Sequence, residues 1–128
     1  MSIIEHCIAA YKFWHQIKIH IQKVSRYTLG EKIDALFIET LELLFIAQYL
    51  PRTKKLPILY KANTTFDTLK FFTKILWELK NLEDKSYVLF SEKLHAIGIM
   101  LNKWINYLEA DIARGGETAR KASANMKK

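Results

Sequence analysis

Between Tyr27 and Leu50 the chain reads YTLGEKIDALFIETLELLFIAQYL, and no other stretch limits the fold as much. Its spacing is that of one helix. Thr28 is placed to cap it, with Glu31 three residues on as capping-box partner. Glu31 and Asp34 sit where the positive end of a helix dipole favours acids. Pro51 stops the helix and disfavours helical backbone at Leu50. At about 100° per residue, Ile33, Leu36, Phe37, Thr40, Leu43, Leu44 and Ala47 gather on one face as a core stripe. The opposite face carries Glu31, Asp34, Glu39 and Glu42, with Ala35, Ile38, Phe45, Ile46 and Tyr49 among them. A helix on the outside of a monomer has no need of that much apolar surface. Two readings follow: a wide buried stripe in a larger bundle, or a back that packs on another copy of the chain. On the second reading the interface residues are Ile38, Glu39, Glu42, Phe45, Ile46 and Tyr49.

The rest of the chain supplies three more amphipathic helices. Ile4 to Val24 repeats Ile4, Ile8, Tyr11, Trp14, Ile17, Ile21 and Val24 at helical spacing. Ser25-Arg26 then reads as a short connection, which makes the second helix antiparallel to the first. PRTKKLP, Pro51 to Pro57, reads as a linker, with Pro57 in the first turn of a third helix. That helix runs to about Leu82 on a stripe of Ile58, Ala62, Thr65, Leu69, Phe72, Leu76 and Leu79. Asn81 to Asp84 is a second tight turn. Asp84 or Ser86 is placed to cap a fourth helix, whose stripe is Tyr87, Phe90, Leu94, Ile97, Leu101, Trp104, Ile105 and Leu108. Gly98 inside it suggests a close helix approach. Gly115-Gly116 should end it near Ala113. The expectation is an all-α, antiparallel up-down-up-down four-helix bundle over residues 1–113 and a basic, disordered tail over 114–128.

At 128 residues this is one domain, long enough for a single core. Charges interrupt every candidate for the ~20 apolar residues a membrane span needs. MSIIEHCIAAYKFW lacks the basic start and cleavage site of a secretory signal. The single cysteine, Cys7, fits a reducing compartment, so a cytoplasmic protein is expected. The formal net charge is +7 and the sequence pI about 9.5, which points to a polyanion partner. Residues 51–82 hold seven bases against two acids. Arg52, Lys54, Lys55, Lys61, Lys70 and Lys74 lie there, with Tyr60 and Phe71 interleaved. Cations position phosphates and aromatics stack on exposed bases, so these six are the candidate nucleic-acid contacts. The plainer reading is a solvated lysine face; the local excess and the basic tail favour the polyanion.

Patterns that carry catalysis are missing. His6, His15, His20 and His95 are not spaced as helical metal pairs with one another or with Cys7, and neither HExxH nor the pair of Glu-x-x-His motifs of a di-iron bundle occurs. Gly30, Gly98, Gly115 and Gly116 make no phosphate loop. Ser25, Ser86 and Ser91 lack the surroundings of a nucleophile. Small helical HEPN nucleases carry a His four to six residues after an Arg, and no Arg here has one. The expectation is a binding protein without metal, cofactor or enzymatic activity.

YTLGEKI with its Leu-Glu-Leu-Leu run, KANTTFDTLKFFTKILWELKNL at Lys61–Leu82 and IGIMLNKWINYL at Ile97–Leu108 occur in aligned order. Together they resemble the Avd family, the accessory variability determinants of diversity-generating retroelements, over about Tyr11 to Leu108. The small four-helix proteins encoded in intervening sequences of bacterial ribosomal RNA genes look much the same and are the alternative. The Avd resemblance implies a homopentameric barrel of four-helix bundles with a basic surface. It implies a reverse transcriptase partner, template RNA, and support of mutagenic reverse transcription without catalysis by the accessory protein itself. Asp67 and Glu78 depart from an unbroken basic face on the third helix. The tail after Gly115 has no part in the resemblance.

Overall fold

The computed structural model describes the backbone of residues 1–126 and the side chains of residues 1–115. Helix α1 spans Ile3–Lys18. Ser2 opens it with a capping box: its Oγ accepts from the Glu5 amide at 3.2 Å, and Glu5 reaches back to the Ser2 amide. The buried face is Cys7, Ala10, Trp14 and Ile17, continued by Ile21. Ile8 and Val24, expected in this stripe, are exposed. The spacing 7, 10, 14, 17, 21 follows the small residues Cys7 and Ala10 instead, which let the neighbouring helices come close.

The chain turns at residues 19–22, not at Ser25-Arg26. A single helical turn, α2 (Lys23–Ser25), runs through a π-helical turn (Arg26–Gly30) into α3 (Glu31–Ala47). The rod therefore starts before Thr28, and Thr28 does not cap it. Its hydroxyl donates back to the Val24 carbonyl at 3.1 Å. Arg26 holds the turn in place by donating from Nη2 to the carbonyls of Ile19 and Ile21 at 3.1 and 3.0 Å. The buried residues of α3 are the seven of its expected core stripe. Burial of Ile33, Leu36, Phe37, Leu43 and Leu44 contributes about 1.5–3 kcal/mol each. Thr40 is tolerated in that stripe because its hydroxyl donates to the Leu36 carbonyl at 2.8 Å.

Helix α4 spans Arg52–Glu78. PRTKKLP is thus not a linker. Pro51 is the N-cap, with extended backbone at ψ 154°, and Pro57 lies inside the helix. The amides of Lys54 and Lys55 both reach the Pro51 carbonyl at 2.9 Å, so the first turn closes ahead of Pro57. The buried face is Leu59, Ala62, Thr65, Phe66, Leu69, Thr73 and Leu76. Leu79 is exposed, and Thr73 takes a core position with its hydroxyl on the Leu69 carbonyl at 2.9 Å. The helix ends at Lys80, whose φ of 62° lets the Asn81 amide reach the Leu76 carbonyl at 3.1 Å. A side chain in this left-handed region costs about 1 kcal/mol or more against glycine.

Helix α5 spans Asp84–Met126. Asp84 does not cap its own helix; its carboxylate accepts from Trp77 Nε1 at 2.7 Å. Ser86 lies within the helix rather than at its cap. Phe90, Leu94, Ile97, Leu101, Ile105 and Leu108 are buried as expected, with Tyr87 and Trp104 half-buried. The helix continues through Gly115-Gly116 instead of ending near Ala113. The pair carries no positive φ and is followed by good helix formers. The side chains of the expected tail from residue 116 on lie outside the described residues.

The four long helices pack against one another as a four-helix bundle. Helix α3 packs on α4 and on α1, and α5 packs on α4 and on α1. Tyr11 meets Phe37 and Lys18 meets Asp34, so α1 and α3 run in opposite directions. Arg52 pairs with Asp111, and the Trp77 ring stacks on Tyr87 at 4.6 Å, so α4 and α5 do too. Phe90 sits among Trp14, Phe37 and Phe13, with ring centroids 5.7, 6.2 and 6.1 Å away. Among the described residues no helix is long and apolar enough to cross a membrane.

Candidate oligomer and nucleic-acid surfaces

The back of α3 is not covered by the chain's own helices. Ile38, Phe45, Ile46 and Tyr49 are 48, 55, 39 and 73% exposed. Glu42 is exposed and Glu39 half-buried beside them. Glu31, Ala35, Ile38, Glu42, Phe45 and Tyr49 follow one another at alternating steps of four and three, the spacing by which a helix presents a seam to a partner helix. The Phe45 and Tyr49 rings meet edge to face at 5.3 Å, forming one aromatic knob near the end of the helix. At the other end the seam borders a groove of about 350 Å³ whose walls include Arg26, Tyr27, Ala35 and Ile38.

That groove is floored by a polar node that the sequence did not announce. Asp34 Oδ1 accepts from Tyr11 Oη at 3.0 Å, from Trp14 Nε1 at 3.2 Å and from Lys18 Nζ at 3.4 Å. Tyr11, Trp14 and Lys18 share one face of α1 at steps of three and four. Burial, and then the Asp34 carboxylate it donates to, push the Tyr11 hydroxyl up to about 12. Asp34 therefore ties α1 to α3 rather than serving the helix dipole alone.

The six candidate bases do not form one face. Arg52 is paired with Asp111 of α5, and that carboxylate raises its pKa further. Lys70 is 3.3 Å from Asp67 and lies over the Phe66 ring at 5.4 Å. Lys74 is 3.9 Å from Glu78, and Lys55 lies over the Trp104 ring at 5.8 Å. Among the described residues no ion pair forms at Lys54 or Lys61. At about 100° per residue, Lys54 and Lys61 fall on one flank of α4 and Arg52, Lys70 and Lys74 on the other. Tyr60 and Phe71 are exposed in the sector between them. A count of charges along the sequence registered the bases but not the acid that α5 brings to Arg52.

Two further features bear on chemistry. Cys7 is fully buried, and burial pushes its thiol up to about 12, which makes it inert at neutral pH. Among the described residues no group of three or more His, Cys, Asp or Glu side chains is arranged to hold a metal ion. At the end of the bundle where residues 19–22 meet residues 79–83 lies a polar cavity of about 530 Å³. Its walls include Gln16, His20, Gln22, Lys80, Glu83 and Ser86. No motif marked it, because its residues come from two turns far apart in the chain. No protein-family model matches the chain, and no curated protein matches it.

Proposed function

We propose that this protein is a non-catalytic, cytoplasmic accessory protein of a diversity-generating retroelement. It assembles with copies of itself as a barrel, a pentamer on the Avd resemblance. It brings nucleic acid to a reverse transcriptase and so supports mutagenic reverse transcription. The observation that carries self-assembly is the α3 seam: Ile38 and Phe45 stand in solvent one heptad apart on a helix whose other face is fully committed to the core, and the exposed Tyr49 continues them just past its end. The nucleic-acid role rests on the net charge of +7 and on Lys54 and Lys61, which no carboxylate of their own chain holds among the described residues. The same two lysines are also available to a neighbour's Glu39 and Glu42, which would align adjacent copies. The reverse transcriptase partner rests on the sequence resemblance alone.

Light scattering on the purified chain tests the first part. The expected mass is a multiple of the 15.0 kDa protomer, and Ile38→Asp with Phe45→Asp should return it to one protomer. A wild-type protein that stays at one protomer at high concentration refutes the assembly. An RNA titration at rising salt tests the second part. Affinity should fall steeply with salt and weaken in a Lys54→Glu, Lys61→Glu variant. Charge reversal at Glu39 and Glu42 that leaves the oligomer intact removes the role given to those acids. Genes for a reverse transcriptase and a near-repeat pair next to this one would favour the retroelement reading over the ribosomal intervening-sequence alternative.

A further inference from the structure

The polar cavity at the turn end of the bundle has a chemistry of its own. It holds about 530 Å³, the size of a site for a small organic ligand. The residues that line it include Gln16, His20, Gln22, Lys80, Glu83 and Ser86, whose side chains are carboxamide, imidazole, ammonium, carboxylate and hydroxyl in type. Lys23 follows the wall residue Gln22 and Lys85 precedes the wall residue Ser86, whereas Asp84 is occupied by Trp77.

A second observation is independent of the cavity. The end of α4 requires a left-handed residue, and glycine fills such a position at least cost. The chain places Lys80 there instead, at φ 62°. Backbone strain of this kind points to a role for the side chain that bears it. Lys80 is also the one Lys or Arg among the residues that line the cavity.

We propose that this cavity binds a nucleotide, with its phosphate on Lys80 and its base against the carboxamides of Gln16 and Gln22. A carboxamide both donates and accepts, which suits the edge of a base. Glu83 supplies an acceptor for a sugar hydroxyl or an exocyclic amine, and His20 a second contact for the phosphate. The inference deepens the nucleic-acid reading above by assigning one nucleotide unit of the strand to a defined pocket, but it stands or falls on the free mononucleotide.

Adenosine monophosphate titrated into the full-length protein, followed by amide and side-chain NMR shifts, tests it. Shifts are expected at residues 80–83 and in the Gln16 and Gln22 carboxamides. Adenosine without phosphate should bind about tenfold more weakly, as should AMP to Lys80→Gly or Lys80→Asn, the loss expected for one charge-assisted hydrogen bond. Lys80→Gly should at the same time melt higher than wild type, because the left-handed strain is relieved. Stability and binding thus move in opposite directions, which a purely structural lysine would not produce. Unchanged AMP affinity in both variants, shifts confined to another surface, or no binding at millimolar AMP each overturns the proposal. RNA affinity lost in the Lys54, Lys61 variant with AMP shifts retained separates this pocket from the α4 surface.

Discussion

Replacing Asp34 by alanine should be among the most damaging single changes in the bundle, although the residue is only half-buried. The carboxylate takes three donors from α1, and their fates differ. Trp14 is fully buried, so its indole N–H loses the one side-chain acceptor that the fold gives it. A stranded buried donor costs about 1–3 kcal/mol. The Tyr11 hydroxyl is nearer solvent and forfeits about 1 kcal/mol. The Lys18 pair is partly exposed and adds about 0–1 kcal/mol. The expected loss is about 2–5 kcal/mol, or about 8–20 °C in melting temperature for a domain of this size. Asp34→Asn keeps an acceptor oxygen and should lose about 1 kcal/mol. Urea melts at one fixed protein concentration measure both, since self-association would otherwise shift the midpoint. Repeating Asp34→Ala in a Trp14→Phe background separates the indole term: there the change should cost about 1–2 kcal/mol less. An Asp34→Ala protein within about 0.5 kcal/mol of wild type, or no coupling to Trp14, refutes the node.

Gly98→Ala should stabilise the fold by about 0.5–1 kcal/mol, read as a higher melting temperature. A Cβ there would meet Phe66 Cε2 and Lys70 Nζ at 3.8 Å, an ordinary contact. The buried Cys7 thiol should resist maleimide in the native protein and react at the rate of unfolding. Its folded pKa of about 12 lies above the ordinary 9.0, so the protonated thiol favours the fold. That stability, about 4 kcal/mol, should be complete below pH 9 and lost as pH rises towards 12, and Cys7→Ala should flatten the decline. Tyr11→Phe should remove a further part of the alkaline decline, because the Tyr11 hydroxyl is likewise held protonated up to about 12. Tyr49→Ser should leave the urea midpoint of a dilute monomer unchanged and weaken association, which sedimentation at graded concentrations would report.

Periodicity made α3 legible on both faces, because seven buried positions and the exposed Ile38, Phe45 and Ile46 recur at helical spacing. Along residues 4–24 it found Trp14, Ile17 and Ile21 but put Ile8 and Val24 in the core, for a physical reason. Ile8 and Val24 are larger than Cys7 and Ala10, so size drew the stripe towards them, whereas helices that pack closely select the small side chains. Thr73 was overlooked as core because a hydroxyl looks polar until its bond to Leu69 is known. PRTKKLP looked like a linker because prolines break helices from within, yet Pro51 stands before this one and Pro57 lies just beyond its first turn. The Asp34 node and the polar cavity were beyond periodicity altogether. Each joins residues that become neighbours only after the helices have packed. The basic segment was visible as a number of charges, but pairing by Asp67, Glu78 and Asp111 is a property of the folded surface.

The π-helical turn at Arg26–Gly30 stores one residue more than an α-helical path of the same rise would need. Removing a single residue there would let the rod wind as plain α-helix while α2 and α3 keep their facing. Length in this turn is therefore adjustable by one, and in the rest of α3 it is not: a deletion past Glu31 would turn everything beyond it by about 100°, taking the core stripe and the solvent seam out of register together. Chains descended from a common ancestor with this one should vary in length at Tyr27–Leu29 before they vary anywhere else along the rod.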